Sequence, residues 1–408
     1  MFNNPIANQN IMSSFSELKE DFEIELNNIL TYWEENTIDH KYGGFLGKIN
    51  HENVVFDNAP KGVVLNARIL WSFSSAYLHS KNDTYLKIAE RAFKYIVQYF
   101  WDQEFGGVYW TVDFKGEPLD TKKQIYALAF VIYGLTEYYQ ASGDKEAISF
   151  ALKCYHDIEN HSFDKENGGY LEALTRNWME IDDLRLSNKD VNEKKTMNTH
   201  LHILEAYTNL YRVWPDKELK KVISSLLNVF IEHIIDPKTN HLILFLDENW
   251  TAKSKTVSYG HDIEASWLLL EAAEVIQDEK LIERFKLVAV QMADAASKGI
   301  ASNGALIYEC EPAADHIIGE KHWWVQAEAM VGFFNAWQLT GEQKYYNHFT
   351  GLWSFVDKYI IDHERGEWVW GINEDYSIMD HEDKVGLWKC PYHNSRACLE
   401  ILHRLDTV

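Results

Sequence analysis

Two kinds of helical stretch alternate along the chain. The segment TKKQIYALAFVIYGLTEYYQ (121–140) is apolar on nearly every side, the pattern of a helix buried all round. After the break ASGD, the segment KEAISFALKCYHDIEN (145–160) carries a distinct polar face and reads as an outer helix. The alternation predicts outer helices over roughly 14–36, 82–100, 143–160, 216–233, 279–296 and 342–360. It predicts inner ones over roughly 61–79, 121–140, 194–213, 261–277, 321–340 and 391–405. The first stretch is outer and the last is inner, so the two ends can pair and close a ring. The expected fold is all-α: an (α/α)6 barrel of six inner and six outer helices, forming a single catalytic domain over 1–408. Residues 1–13 are expected to be a loosely ordered N-terminal segment.

Between helix pairs a short phrase recurs. It reads DHKYGGFLGKIN from Asp39, DQEFGGVYWTVD from Asp102 and DKENGGYLEALT from Asp164. Weaker copies begin at Asp236, Ser302 and Asp362, which makes the successive spacings 63, 62, 72, 66 and 60 residues. A period of this size marks a repeat architecture. Each copy has a turn residue or glycine followed by alternating aromatic and aliphatic positions, so hairpin-like loops are expected at one mouth of the barrel. The longest spacing contains RNWMEIDDLRLSNKDVNEKK (176–195), polar and without periodicity, which reads as a long binding loop or lid at that mouth.

Composition changes this picture little. The 408 residues carry 62 acids against 39 bases, a net charge of -23, which disfavours nucleic acid and anionic membrane surfaces as partners. No apolar run approaches the ~20 residues of a membrane span, and the acidic start MFNNPIANQNIMSSFSELKEDFE lacks the features of a signal peptide. Cys154, Cys310, Cys390 and Cys398 show no CxxC spacing. A cytoplasmic, monomeric protein acting on a small molecule is expected. The 15 Trp and 22 Tyr suit stacking on sugar faces as well as filling helical cores.

The chemistry gathers where the inner helices begin. Arg68, Tyr126, Asn198, His202, His261, Glu264, Trp323, Trp324, Glu328 and His393 all fall near those starts, and Trp388 lies just before the last one. Polar groups on otherwise apolar helices need partners or a function. His261 and Glu264 are three residues apart and share a face, so the carboxylate is expected to support the histidine. His393 follows Pro391, a favoured first helical residue. A helix N-terminus disfavours imidazolium, which leaves both histidines neutral and able to take a proton. There is no HExxH, and His200 and His202 are spaced to face different ways, so no metal is expected. No GxSxG, Walker A or dinucleotide fingerprint occurs, so no cofactor is expected either. Glu264 and Glu328 could serve a glycosidase, but the helix-start histidines would then have no role.

Six segments together resemble the N-acylglucosamine 2-epimerase superfamily, and within it the branch that acts on disaccharides. They are KGVVLNARILWSFSSAY, DTKKQIYALAFVIYGL, KTMNTHLHILEAY, SYGHDIEASWLL, WWVQAEAMVGF and LWKCPYHNSR, in order over nearly the whole chain. The resemblance implies an (α/α)6 barrel and reversible epimerisation at C2 of a reducing-end glucose, without metal or nucleotide. It implies that His261 and His393 are the acid–base pair, with Glu264 as partner of the catalytic histidine. It also implies that Arg68 lies on the carbonyl side, and that Asn198 and His202 hold the sugar and assist ring opening. Tyr126, Trp324 and Trp388 would contact sugar, and Trp323 and Glu328 beside them are expected to contact it too. A monosaccharide isomerase or epimerase on the same fold is the nearest alternative; a carbohydrate-binding barrel or an (α/α)6 glycoside hydrolase is a further one.

Overall fold

The computed structural model describes residues 5–314 and 316–407. Among the described residues, twelve α-helices alternate as the hydrophobic pattern requires. The outer ones are α1 (Pro5–Asn36), α3 (Asp83–Tyr95), α5 (Lys145–His161), α7 (Lys217–Val229), α9 (Glu279–Ser297) and α11 (Gln343–Phe355). The inner ones are α2 (Val63–Ser80), α4 (Ile125–Ser142), α6 (Met197–Val213), α8 (Tyr259–Val275), α10 (Trp323–Thr340) and α12 (Tyr392–Leu405). Helix α1 takes in residues 5–13, which the sequence pattern set aside as loosely ordered; residues 1–4 of that segment lie outside the described residues.

Each inner helix packs on the next in the order α2, α4, α6, α8, α10, α12, and α12 packs back on α2. The ring is therefore closed, and the fold is an (α/α)6 barrel. Inner helices are buried almost continuously, as α4 is from Ile125 to Tyr138. Outer helices bury one stripe; α7 buries Leu219, Ile223, Leu226 and Leu227, at helical spacing. Two glycines allow the inner ring to close tightly. A Cβ on Gly134 of α4 would lie 2.5 Å from the Ala67 carbonyl oxygen of α2, and one on Gly332 of α10 would lie 2.7 Å from that of Ile263 in α8.

The recurring phrases stitch one mouth of the ring. The strand entering each inner helix pairs antiparallel with a strand about one repeat further on, as Lys61–Gly62 does with Thr111–Val112 and Lys123–Gln124 with Ala173–Leu174. The strand Asp383–Val385 pairs with Ile49–Asn50 and joins the last repeat to the first. A buried lysine clasps four of the six phrases. Lys61 Nζ donates to Asp39 (2.6 Å) and to the Gly43 carbonyl (2.7 Å). Lys123 does the same with Asp102 and Gly106, Lys195 with Asp164 and Gly168, and Lys384 with Asp362 and Gly366. The copy at Asp362, weak in sequence, is thus a full member of the repeat.

The two mouths differ electrically. The outer helices α3, α5, α7 and α9 are capped by Asn82, Asp144, Asp216 and Asp278, whose side chains accept from first-turn N–H groups. Among the inner helices only α6 has such a cap, from Thr196. The uncapped N-termini of α2, α4, α8, α10 and α12 all open on the stitched mouth and give it a positive potential.

Candidate active site

A cavity of about 430 Å³ opens at the stitched mouth. Its wall includes Arg68, Tyr126, Asn198, His202, His261, Glu264, Trp323, Trp324, Trp388 and His393, so ten of the eleven residues singled out from sequence meet there. The larger hollow at the opposite mouth, about 850 Å³, is lined by charged residues such as Arg212, Glu271 and Arg404 and by none of those ten.

Glu328 is the residue that does not reach the wall. It stands behind it, accepting from His393 Nδ1 at 2.7 Å, from Arg396 Nη2 at 2.6 Å and from Trp267 Nε1 at 3.3 Å. Its expected role as a sugar contact is therefore corrected to support of His393. The expected pairing of His261 with Glu264 is also corrected. Glu264 accepts from Arg396 Nη2 at 2.9 Å, while His261 Nδ1 is held by the Ser258 hydroxyl at 2.8 Å. Ser258 occupies the N-cap position of α8, but its hydroxyl serves the imidazole rather than the helix. Pro391, expected as the first helical residue, takes the N-cap position of α12.

His202 repeats the carboxylate–histidine arrangement, with its Nδ1 at 2.8 Å from Glu205 Oε2. Burial favours an uncharged Glu205, but the Arg396 guanidinium, with His202 and Tyr392, overcomes this and holds its carboxyl down at about 2. The Glu328 carboxyl is held low in the same way, by Arg396 and His393 against burial. Ionised carboxylates only accept, so His202 and His393 carry their proton on Nδ1 and turn a basic Nε2 towards the cavity. Burial pushes both His261 and His393 down to about 3, which keeps them neutral. The neighbouring His200 faces away, accepting from the Tyr170 N–H at 2.9 Å.

The wall also has polar atoms without protein partners. Arg68 Nε, Asn198 Oδ1, Trp323 Nε1 and Trp370 Nε1 are buried and unbonded within the protein. Arg68 Nη2 donates to the Tyr126 hydroxyl at 2.7 Å, and its guanidinium lies 4.1 Å from the centre of the Phe130 ring. Trp324 stands between the acid–base candidates, its ring centre 4.7 Å from that of His261 and 5.8 Å from that of His393. Trp388 closes the side near Tyr126 (5.9 Å) and Trp110 (5.7 Å). Three orphan donors, one orphan acceptor and flat aromatic faces make a site for a polyhydroxylated ring.

Sequence reasoning missed several wall residues. Tyr308 and His322 are stacked at 4.0 Å, and Trp370 sits beside them. Their one signal in the sequence was aromatic density in the loops. The 176–195 loop contributes Ser187, Asn188, Lys189 and Asp190, as its length suggested. Glu264, Glu328 and His393 bring potential ligand atoms within 4.8 Å of one another, but Arg396 already bonds both carboxylates, and a metal ion would have to displace it.

The family model for N-acylglucosamine 2-epimerase (GlcNAc 2-epimerase) matches residues 43–397. The chain belongs to that family. Relatives within reach include the cellobiose 2-epimerase of Bacteroides fragilis, 50% identical over 94% of this chain and 98% of its own length. The cellobiose 2-epimerase of Dictyoglomus turgidum is 39% identical over 95% and 98%. Among solved structures, the cellobiose 2-epimerase of Bacillus thermoamylovorans B4167 superimposes with a TM-score of 0.90 at 39% identity, covering 95% of this chain and all of that one. For an N-acylglucosamine 2-epimerase family barrel, the stitched mouth with its paired histidines is the part of the molecule suited to sugar chemistry.

Proposed function

We propose that the chain is a 2-epimerase for β-1,4-linked disaccharides, an isomerase that inverts C2 of the reducing-end glucose. Cellobiose would become 4-O-β-D-glucosyl-D-mannose, and lactose would become epilactose. The observation that carries this reading is the pair His261 and His393, both neutral, flanking Trp324 in one cavity. Similarity to named cellobiose 2-epimerases over nearly the whole chain supports the disaccharide.

The chemistry begins with ring opening. His202, oriented by Glu205, relays the anomeric hydroxyl proton to the ring oxygen as the C1–O5 bond breaks and C1 becomes a carbonyl. His393 Nε2 then takes the C2 proton, and the C2–H electron pair forms the C1=C2 bond of a cis-enediol. Negative charge collects on O1, where Arg68 offers its free Nε–H. His261, neutral at rest, picks up a solvent-exchangeable proton and returns it to the other face of C2, His393 releases the proton it took, and the ring closes. The Ser258 hydroxyl can donate or accept, so His261 can change protonation state without losing its hold, while the carboxylate holds the Nδ1 proton of His393 and leaves its Nε2 free to take up and release a proton. In the reverse direction the two exchange roles. Asn198, Tyr126, Trp323, Trp324 and Trp388 would hold the sugar. The reaction balances without metal, redox agent or nucleotide.

No described helix is long and apolar enough to cross a membrane. We place the enzyme in the cytoplasm, acting as a monomer with the whole chain as one catalytic domain. Its four cysteines are buried and unpaired, in keeping with a reducing compartment.

Incubation with cellobiose, mannose and N-acetylglucosamine in D₂O, followed by NMR, tests the reading. A mannose-type reducing end with deuterium at C2, formed from cellobiose, is expected. Fructose from mannose would mark an isomerase, glucose from cellobiose a hydrolase, and no change in any sugar a binding protein.

A further inference from the structure

Arg396 lies one turn below His393 on α12 and is 1% exposed. Its Nη1 bonds Glu205 Oε1, the carboxylate that orients His202, and its Nη2 bonds Glu328 Oε1 at 2.6 Å, the carboxylate that orients His393. The same Nη2 bonds Glu264 Oε1 at 2.9 Å. One guanidinium therefore touches the supports of two histidines that stand on different helices, α6 and α12. Tyr392 also donates to Glu205, and the Trp267 ring covers the guanidinium at 4.9 Å.

The charges around this point do not balance with every histidine neutral. Three buried carboxylates, Glu205 from α6, Glu264 from α8 and Glu328 from α10, face two buried guanidiniums, Arg68 from α2 and Arg396 from α12. Tyr126 and Tyr133 of α4 are neutral phenols, kept so by burial, and Glu271 of α8 lies further off, towards the opposite mouth. The cluster is thus one proton short of neutrality. Glu205 and Glu328 each accept at least three hydrogen bonds, whereas Glu264 accepts only from Arg396 among the described residues. The least solvated carboxylate retains the proton. Glu264 lies on the cavity wall, within reach of substrate.

We propose that Arg396 is a positioning residue that joins His202–Glu205 and His393–Glu328 into one titrating unit, with a single shared proton resting on Glu264. This rests on the epimerase reading, because a proton held between the two sides is what a two-histidine epimerisation consumes and restores. Arg396 itself does not line the cavity; it acts through the three glutamates.

Histidine ring NMR titrations of the substrate-free full chain test this independently of any sugar, comparing wild type with Arg396→Gln, Arg396→Lys and Glu205→Gln. Loss of the cation in Arg396→Gln should raise the midpoints of His202 and His393 together, by about one pH unit or more. Arg396→Lys keeps the charge and should move them less. Glu205→Gln removes an anion and should lower the His202 midpoint and shift that of His393, which Glu205 does not touch. In the cellobiose assay, Arg396→Gln should lower kcat roughly 10- to 10³-fold with KM little changed, and Arg396→Lys should recover part of the loss. If Arg396→Gln moves neither midpoint, or only one, the proposal fails. If that variant does not fold, an unmoved His393 midpoint in Glu205→Gln overturns it. Wild type inert towards cellobiose would instead count against the epimerase reading, whatever the titrations show.

Discussion

At the scale of single residues, the site separates groups that react from groups that hold. His393→Asn keeps a neutral amide near Glu328 but removes the base, and kcat should fall on the order of 10²–10⁴ with KM within a few-fold. A raised KM with kcat unchanged would show instead that the residue only binds. Asn198 Oδ1, buried without a protein partner, should behave oppositely: Asn198→Ala is expected to raise KM by roughly 5- to 30-fold and to leave kcat near wild type. Steady-state kinetics on cellobiose distinguishes the two. The residues of the wall were legible in the sequence because a polar side chain on an apolar helix shows its oddity locally. Their partners were not. Glu264 and His261 share a helix face, yet Glu264 bonds Arg396, 132 positions away, and Tyr392 bonds Glu205 across 187. Helical spacing states which side chains can meet on one helix; it is silent on what a neighbouring helix delivers to the same point.

At the scale of elements, the alternation of all-apolar and one-faced helices was sufficient to read twelve helices and their inner or outer placement, because burial on every side leaves a compositional mark. What the pattern did not reveal is how closely the helices approach. Gly134 sits mid-helix, where glycine is unfavourable by itself, and its place is explained by the Ala67 carbonyl against it. Gly134→Val should therefore destabilise the barrel by ~1–3 kcal/mol, read as a lower denaturant midpoint, although valine would be tolerated better than glycine in an isolated α4 peptide. The lysine clasps were equally hidden, since each joins an aspartate and a lysine 21 to 31 residues apart in segments that read as loop and strand. Lys61 and Asp39 are 1% and 5% exposed. Replacing Lys61 by Met leaves that aspartate buried without its cation, at an expected cost of ~3–5 kcal/mol. A loss within error of zero would mean that the backbone donors of Lys41 and Tyr42 carry Asp39 unaided.

At the scale of the molecule, the site's electrostatics are a load on folding that should be visible in stability against pH. Burial holds His393 down to about 3 and His261 likewise, well below the ordinary value near 6.5. Below about pH 6.5 the unfolded chain takes up protons on these rings and the folded chain does not, so each ring makes stability fall as pH falls towards 3. Other buried groups act with the opposite sign. Burial lifts Glu25, Glu172 and Glu271 to about 7, so the folded chain binds their protons first and gains stability as pH drops from 7 towards 4.5. The net acidity of -23 also eases on protonation. The wild-type curve mixes these terms, but a difference curve isolates one. His393→Asn removes one opposed ring and leaves the carboxyls in place. Whatever its offset at pH 7.5, the variant should gain on wild type by up to ~1.4 kcal/mol per pH unit between pH 6.5 and 5. Denaturant unfolding of the two proteins at several pH values measures that slope. A flat difference would place the His393 midpoint near that of an exposed histidine, and would remove the electrostatic ground for reading it as a neutral base held in readiness at the mouth of the barrel.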